Sequence, residues 1–241
     1  MVPDSDKAFL YGVCWGDGCI TKSGFLKISH SAKQADYLTW KVDNLSRILG
    51  CESWIEFYLA KCKGKEYPAC QWYSPVSDEL KSLREFLYPL GEKRVSREFL
   101  SYMNVQSLAI LHMDDGHLYL RKRGIKKNGE PYIRERQVEL NLYVSLEEAI
   151  LISDRIFELT NARFKPRQPN KKGCPDSYNL RCEGTNCRKF IQSIEKYKIP
   201  PMEYKFALQY DKNSHRGKAS WSEADLHKYV EADKGTRARN I

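Results

Sequence analysis

The sequence predicts an α+β fold built from two similar halves. Two apolar segments, 10–18 and 108–116, are each long enough for two helical turns, and each ends in Asp-Gly. Each segment begins the same order of helix, two strands, helix, two strands and helix, which is typical of a fused internal dimer. We therefore expect tandem αββαββα halves at 1–103 and 104–206, with a polar, basic extension at 207–241.

The first half shows its elements through turn residues and apolar spacing. Short β-prone runs at 19–21 and 25–29 flank Lys22-Ser23-Gly24, which predicts a hairpin. Apolar residues at helical spacing predict a helix over 37–49 that ends at Gly50. The remaining elements are expected to be strands at 53–58 and 69–73, a connecting loop at 61–67 and a helix at 78–88.

The second half repeats this order. Strands are predicted at 117–120 and 137–143, with a long basic hairpin tip containing Asn128-Gly129 between them. Ser145 is placed to cap a helix over 146–159 that has two acids in its first turn. Strands at 162–166 and 177–182 and a helix at 186–197, stopped by Pro200-Pro201, complete the half.

The two Asp-Gly endings predict a metal site. Asp17 and Asp115 each come after an apolar helix, where the last carbonyls already present partial negative charge. A carboxylate is disfavoured there unless something positive lies nearby. A divalent cation with oxygen ligands is the simplest candidate.

The net charge of +9, with a pI near 9.0, indicates a polyanionic partner, with nucleic acid first. Most of this charge lies in residues 104–241. The predicted hairpin tip and its flanks contribute seven basic residues against two acids: Arg121, Lys122, Arg123, Lys126, Lys127, Arg134 and Arg136. A solvated charged loop is the alternative interpretation of this run.

Targeting and cysteine usage favour an intracellular protein, in the cytoplasm, nucleoid or an organelle matrix. No apolar run approaches the ~18 residues of a membrane span, and the N-terminus lacks the basic start of a secretory signal. None of the eight cysteines forms Cys-x-x-Cys. Cys174, Cys182 and Cys187 could form a zinc site only with a fourth ligand that normal spacing does not supply. Reduced, partly buried thiols are the simpler interpretation.

Residues 8–206 resemble the LAGLIDADG homing endonucleases, in the single-chain form that carries two motif copies. The first copy keeps Leu10, Gly12, Asp17 and Gly18, and the second, at 108–116, is similar to the Met-Asp-Asp-Gly variant of one subfamily. The segment 199–205 is also similar to that subfamily. The second copy departs from the first because Ile110 and Asp114 stand where the first has Gly12 and Gly16.

The resemblance implies a fold and a partner. The two halves would be related by a pseudo-twofold axis, with the motif helices side by side, and the chain would act as a monomer. Two four-stranded antiparallel sheets would lie in the major groove of double-stranded DNA, where strand side chains reach base edges and phosphates. The candidate DNA-binding residues are Lys22, Lys27, Lys61, Lys63, Lys65, Arg121, Arg123, Lys126, Lys127, Arg134, Arg136 and Arg181.

The resemblance also implies staggered double-strand cleavage by Mg²⁺, for which Mn²⁺ can substitute. Asp17 and Asp115 would be the main metal ligands, with the carbonyls of Gly16 and Asp114 as secondary ligands. Basic residues would act near the phosphates, with Lys205 as the candidate for the second half and either Lys93 or Arg94 for the first. The family often has a glutamine near each metal, whereas this chain has Ser31 and Tyr143 at the aligned positions.

Two other functions stay open from the sequence. A non-catalytic nucleic-acid binder on the same scaffold, either an intron RNA maturase or a regulator, would need the basic surface but not both acids. Retention of Asp17 and Asp115 favours the nuclease. A small zinc module around the three late cysteines is the third hypothesis.

Overall fold

The computed structural model describes residues 4–125, 127, 129, 131–169 and 176–208. Within them the chain forms two compact units. The larger unit contains residues 4–16 and 85–208, and the smaller unit contains residues 17–84. The predicted extension from 209 onward, including Arg237 and Arg239, lies outside the described residues.

The smaller unit is a four-stranded antiparallel sheet with a helix packed on it. Its strands are β1 (Cys19–Ile20), β2 (Leu26–Ser31), β3 (Glu56–Cys62) and β4 (Lys65–Tyr73), in the spatial order β1-β2-β4-β3. Helix α2 (Ala35–Leu49) buries one apolar face and ends at Gly50, whose left-handed backbone closes the last turn. Helix α3 (Asp78–Leu87) comes after β4, and its last three residues belong to the larger unit.

The larger unit repeats this sheet order and adds a pair of packed helices. Its helices are α1 (Asp4–Trp15), α4 (Arg97–Ser101), α5 (Val105–Asp115), α6 (Leu146–Thr160) and α7 (Gly184–Ile194). Its strands are β5 (Gly116–Ile125), β6 (Pro131–Val144), β7 (Lys165–Arg167) and β8 (Tyr178–Glu183), in the order β5-β6-β8-β7. Short 3-10 helices at Glu195–Tyr197 and Pro200–Lys205 end the described chain.

The predicted α+β class and the two four-stranded antiparallel sheets are confirmed. The compact units do not coincide with the predicted halves, because α1 packs against α5 and so belongs to the larger unit. Halves are defined by the internal repeat and units by contacts. The division at 103/104 therefore stays a prediction.

Two predicted connections are wrong in extent. The expected loop at 61–67 is mostly strand, because Cys62 pairs with Lys65 and only Lys63 and Gly64 turn the chain. Both turn residues have positive φ, which is the backbone of a two-residue hairpin. The first of the two strands that it joins also starts later than expected, at Glu56 rather than residue 53.

The expected basic hairpin tip is also mostly strand, because β5 extends to Ile125 and β6 begins at Pro131. Arg121, Arg123, Arg134 and Arg136 therefore lie in paired strands. Lys126 and Asn128 lie outside the described residues. The helix predicted at 186–197 is α7 at Gly184–Ile194, which ends before Pro200-Pro201 and is followed by a 3-10 turn at Glu195–Tyr197. The two prolines begin another 3-10 helix, since a first-turn position needs no backbone N–H.

Candidate functional site

Helices α1 and α5 approach closely because one of them carries a glycine at the contact. A Cβ built on Gly12 would lie 2.9 Å from the Cα of Ser107, closer than real side chains come to backbone. The hydroxyl of Ser107 is fully buried and donates to the carbonyl of Ala8 at 2.7 Å. The contact is therefore made by glycine on α1 and by serine on α5.

The ends of the two helices meet through a second glycine. A Cβ on Gly16 would lie 2.0 Å from Oδ2 of Asp114, so the carboxylate of Asp114 occupies the space that a side chain at Gly16 would need. This explains the departure between the motif copies. One copy supplies the gap and the other fills it.

Two lysines lie on the carbonyl ends of these helices. Lys93 Nζ donates to the carbonyls of Cys14, Trp15 and Gly16 at 2.8, 3.1 and 3.3 Å. Lys205 Nζ donates to the carbonyl of Asp114 at 3.1 Å and also to that of Met113. A cation at a helix C-terminus is favoured by the helix dipole. Each lysine therefore supplies positive charge where the sequence places an acid.

A buried histidine fixes the backbone of one of these lysines. His112 lies on α5, is fully buried, and donates from Nε2 to the carbonyl of Lys205 at 2.9 Å. Burial lowers the pKa of His112 to about 3, although the hydrogen bond to the Lys205 carbonyl raises it. The rings of Phe190 and Phe206 stand edge-on to the imidazole. His112 is therefore neutral and holds Lys205 in place.

Asp115 faces a cavity of about 370 Å³ in the larger unit. Lys93, Arg94 and Asn141 line the same cavity. The side-chain amide of Asn141 donates to the carbonyl of Asp115 at 3.3 Å. Carboxylate, amide and cationic groups thus line one cavity.

Asn141 is a site residue that the sequence reasoning missed. The amide of Asn179 donates to Asn141 Oδ1 at 3.0 Å and so orients it. Tyr143, at the position aligned with the family glutamine, has a positive φ and a half-exposed side chain. The irregular pairing of β6 with β8 after Leu140 makes this region hard to align by counting residues.

Asp17 lies in the smaller unit beside two basic side chains. Its Oδ2 is 3.7 Å from His30 Nε2 and 3.7 Å from Lys41 Nζ. One third of the Asp17 side chain is exposed, whereas Lys41 is fully buried. Neither basic residue was predicted as part of a site. The available signal was a lysine on the apolar face of α2, between Leu38 and Val42.

The candidate DNA-binding residues of the smaller unit lie on or beside its strands. Lys22, Lys63 and Lys65 are exposed, and exposed Lys61 lies 3.6 Å from Glu66. Lys27 is half-buried, with its ammonium over the ring of Tyr73.

In the larger unit, several candidate DNA-binding residues have partners within the chain. Arg121 lies 3.3 Å from Glu135, Arg181 donates to Glu139, and Arg136 Nε donates to the carbonyl of Leu208. Lys127 is exposed, and Arg123 and Arg134 are described only as strand positions.

The late cysteines do not show the geometry of a zinc site in the described chain. Cys182 and Cys187 are buried, and Cys174 lies outside the described residues. Burial raises the pKa of Cys187 to about 12 and that of Cys182 further still. Both thiols are therefore protonated in the metal-free protein. Within the described ranges, no helix has both the length and the apolar character to cross a bilayer.

The profile of the LAGLIDADG DNA endonuclease family matches residues 7–190, most of the chain. The chain belongs to this family. The resemblance expected from the two motif copies is thus confirmed.

Two curated proteins named Protein RecA are similar in sequence to this LAGLIDADG chain. It is 27% identical over 214 residues to Protein RecA of Mycobacterium gastri. The aligned region covers 85% of this chain and 48% of that protein. Protein RecA of Mycolicibacterium flavescens is 25% identical over 210 residues, covering 83% and 46%. The chain spans about half the length of these curated relatives.

A solved structure shows the same LAGLIDADG fold. The homing endonuclease I-WcaI, bound to its DNA recognition sequence, matches with a TM-score of 0.70 and 16% identity. The match covers 87% of this chain and 89% of that chain. At this identity the likeness concerns the fold.

Proposed function

We propose that this protein is a homing endonuclease that makes a staggered double-strand break in a long DNA target by metal-dependent phosphodiester hydrolysis. The observation that carries the proposal is that an acid and a lysine occur together at the end of each motif helix. Each helix leads into an aspartate, and each has a lysine ammonium on its last carbonyls. Binding to DNA alone requires neither the acids nor their placement at the helix ends.

The residues present fit a hard divalent cation. Asp17 and Asp115 offer carboxylate oxygens, the ligand type that Mg²⁺ prefers, and both side chains are accessible to solvent. We propose these two acids as the main ligands and the carbonyls of Gly16 and Asp114 as secondary ones. When bound, Mg²⁺ or Mn²⁺ would supply Lewis-acid stabilisation and a more acidic water.

The lysines contribute positive charge that the fold has already oriented. Lys93 and Lys205 each bond backbone carbonyls, so their ammonium groups are held without the loss of side-chain freedom on DNA binding. Arg94 lines the Asp115 cavity with Lys93. We assign to these three residues the stabilisation of the negative charge that develops on the scissile phosphates.

The strands supply the DNA-binding surface in this proposal. Lys61, Lys63 and Lys65 surround the tight β3–β4 turn, and alternate side chains of such a ribbon can track a groove. I-WcaI, which shares the fold, was solved with its recognition sequence. Arg121 and Arg181, now paired with Glu135 and Glu139, would exchange these carboxylates for phosphate or base contacts on DNA.

Removal of one acid tests the proposal. Asp115→Asn is expected to keep DNA affinity within about twofold while cleavage falls by about a hundredfold or more, because an amide is a poor ligand for a hard cation. Asp43→Asn, on the exposed face of α2, is the matched control because it removes the same charge at a residue that does not line the cavity. A target is first selected from randomised duplex DNA in Ca²⁺, and cleavage of both strands is then measured in Mg²⁺.

Two results would contradict the proposal. An Asp115→Asn protein that linearises a target plasmid at the wild-type rate would refute the assignment of this acid. A wild-type protein that binds its selected DNA, or intron RNA in EDTA, without cutting DNA in Mg²⁺ would establish the non-catalytic alternative.

A further inference from the structure

A fully buried lysine in the middle of a core-facing helix needs an explanation. Lys41 lies on α2 and has no exposed surface. Lysines are almost never fully buried unless they are paired, because moving an ammonium out of water is costly. The ring of Tyr37 lies 4.4 Å from the ammonium and stabilises it in part.

The hydrogen-bond chain around Lys41 leads to the first motif aspartate. His30 Nδ1 lies 3.3 Å from the carbonyl oxygen of the Gln34 side chain, to which it donates in the tautomer that leaves Nε2 unprotonated. Nε2 of the ring then accepts from Lys41 Nζ at 3.4 Å. The remaining charge of the ammonium faces Oδ2 of Asp17 at 3.7 Å.

We propose that Lys41, held by His30, is an internal counter-ion of Asp17 that lowers the affinity of this carboxylate for a divalent cation. The inference rests on the proposed function, since it takes Asp17 as a cation ligand. An ammonium at this distance competes for the same carboxylate charge, and its burial weakens screening by solvent and salt. Lys41 is a positioning residue, because it is too deeply buried to touch a phosphate.

This arrangement is particular to the first half of the chain. Helices α2 and α6 have the same length and the same place in the repeat, and the position that corresponds to Lys41 is Ile152, a buried apolar residue. The buried lysine therefore has no counterpart at the same position of α6. The Lys41 ammonium therefore raises the cation concentration that is needed to cut the DNA strand that depends on Asp17.

The experiment measures cation binding apart from catalysis. Mn²⁺ is titrated calorimetrically into the protein–DNA complex of Asp115→Asn, in which Asp17 is the remaining motif acid. Adding Lys41→Met, which keeps the length of the side chain and removes its charge, is expected to tighten Mn²⁺ binding about tenfold, or ~1.4 kcal/mol. Lys41→Gln is the second variant, and Ile152→Met is the matched core control with no expected change.

A second background separates the two proposals. In Asp17→Asn protein, Lys41→Met is expected to leave Mn²⁺ affinity unchanged, which a general loosening of the fold would not do. Unchanged or weaker binding by both Lys41 variants in the Asp115→Asn background would overturn the counter-ion. If Asp17→Asn still removes a Mn²⁺ site in that case, the metal assignment in the proposed function stands. If it removes none, both fall.

Discussion

The buried imidazole of His112 predicts a specific loss of stability in mild acid. Its pKa falls from 6.5 to about 3, chiefly through burial; the hydrogen bond to the Lys205 carbonyl opposes this fall, and electrostatic interactions with Lys205 and His117 add to it. The folded protein therefore keeps His112 neutral at a pH where the unfolded chain binds a proton. Stability from this residue is complete above pH ~6.5 and falls as the pH drops toward 3.

The size of the loss depends on the gap between the two pKa values. Each pH unit well below the unfolded pKa costs ~1.4 kcal/mol until the folded pKa is reached. Integrated over the titration, the free energy of unfolding should fall by about 1.4 kcal/mol between about pH 7.5 and 5.5 from His112 alone. Other groups titrate in this range, so the measurement needs a reference protein that lacks only this one.

Urea denaturation of wild type and His112→Gln across this pH range isolates the effect. Glutamine cannot titrate, and its amide can still donate to the Lys205 carbonyl. The variant should be less stable near neutral pH because it packs less well between Phe190 and Phe206. The difference in free energy of unfolding between wild type and His112→Gln should shrink by about 1.4 kcal/mol between about pH 7.5 and 5.5. A stability difference that does not change with pH would refute a neutral, buried His112.

Two further substitutions test the packing and the polar contacts of the larger unit. Gly12→Ala should lower the free energy of unfolding, measured by urea denaturation, by about 1–2 kcal/mol. The new methyl group overpacks against the Ser107 backbone, and this cost outweighs the better helix propensity of alanine. An equally stable variant would contradict the close helix contact. Although burial raises the pKa of Glu148, hydrogen bonds from the backbone N–H groups of Val95 and Ser145 outweigh it and lower the pKa. Glu148→Gln should therefore cost about 1–3 kcal/mol near neutral pH, with a difference that shrinks as the pH falls through the lowered pKa; a constant deficit in acid would argue against the ionised pair of hydrogen bonds.

Local chemistry made much of the fold predictable. The sequence predicts Ser145 as an N-cap, and in the structure it forms a reciprocal capping box with Glu148. Gly50 is predicted to end a helix and takes the left-handed conformation there. These signals succeed because cause and effect lie within four residues of each other.

The rest depended on pairing over longer distances. Lys63-Gly64 gives a weak turn signal, and only the register of Cys62 with Lys65 shows that the surrounding lysines belong to strands. His30 and Asn141 belong to their sites because the fold brings them next to residues that are distant in sequence: Asp17 for His30 and Asp115 for Asn141. No spacing rule connects His30 to Asp17 or Asn141 to Asp115, so sequence reasoning could name the acids and not their partners.

The lysines at the ends of the motif helices offset the unfavourable placement of an acid after each helix C-terminus. An acid after a helix C-terminus is disfavoured by about 0.3–1 kcal/mol at the surface, and a cation on the same carbonyls offsets this. Lys93 and Lys205 supply that cation by donating to the backbone carbonyls at the helix ends. The motif helices are thus satisfied by the protein's own lysines, and an external cation is not required for their ends to be stable. The acids can be retained for chemistry on DNA, and the lysines, whose first role is to hold the helix ends, bring positive charge to the place where phosphate must arrive.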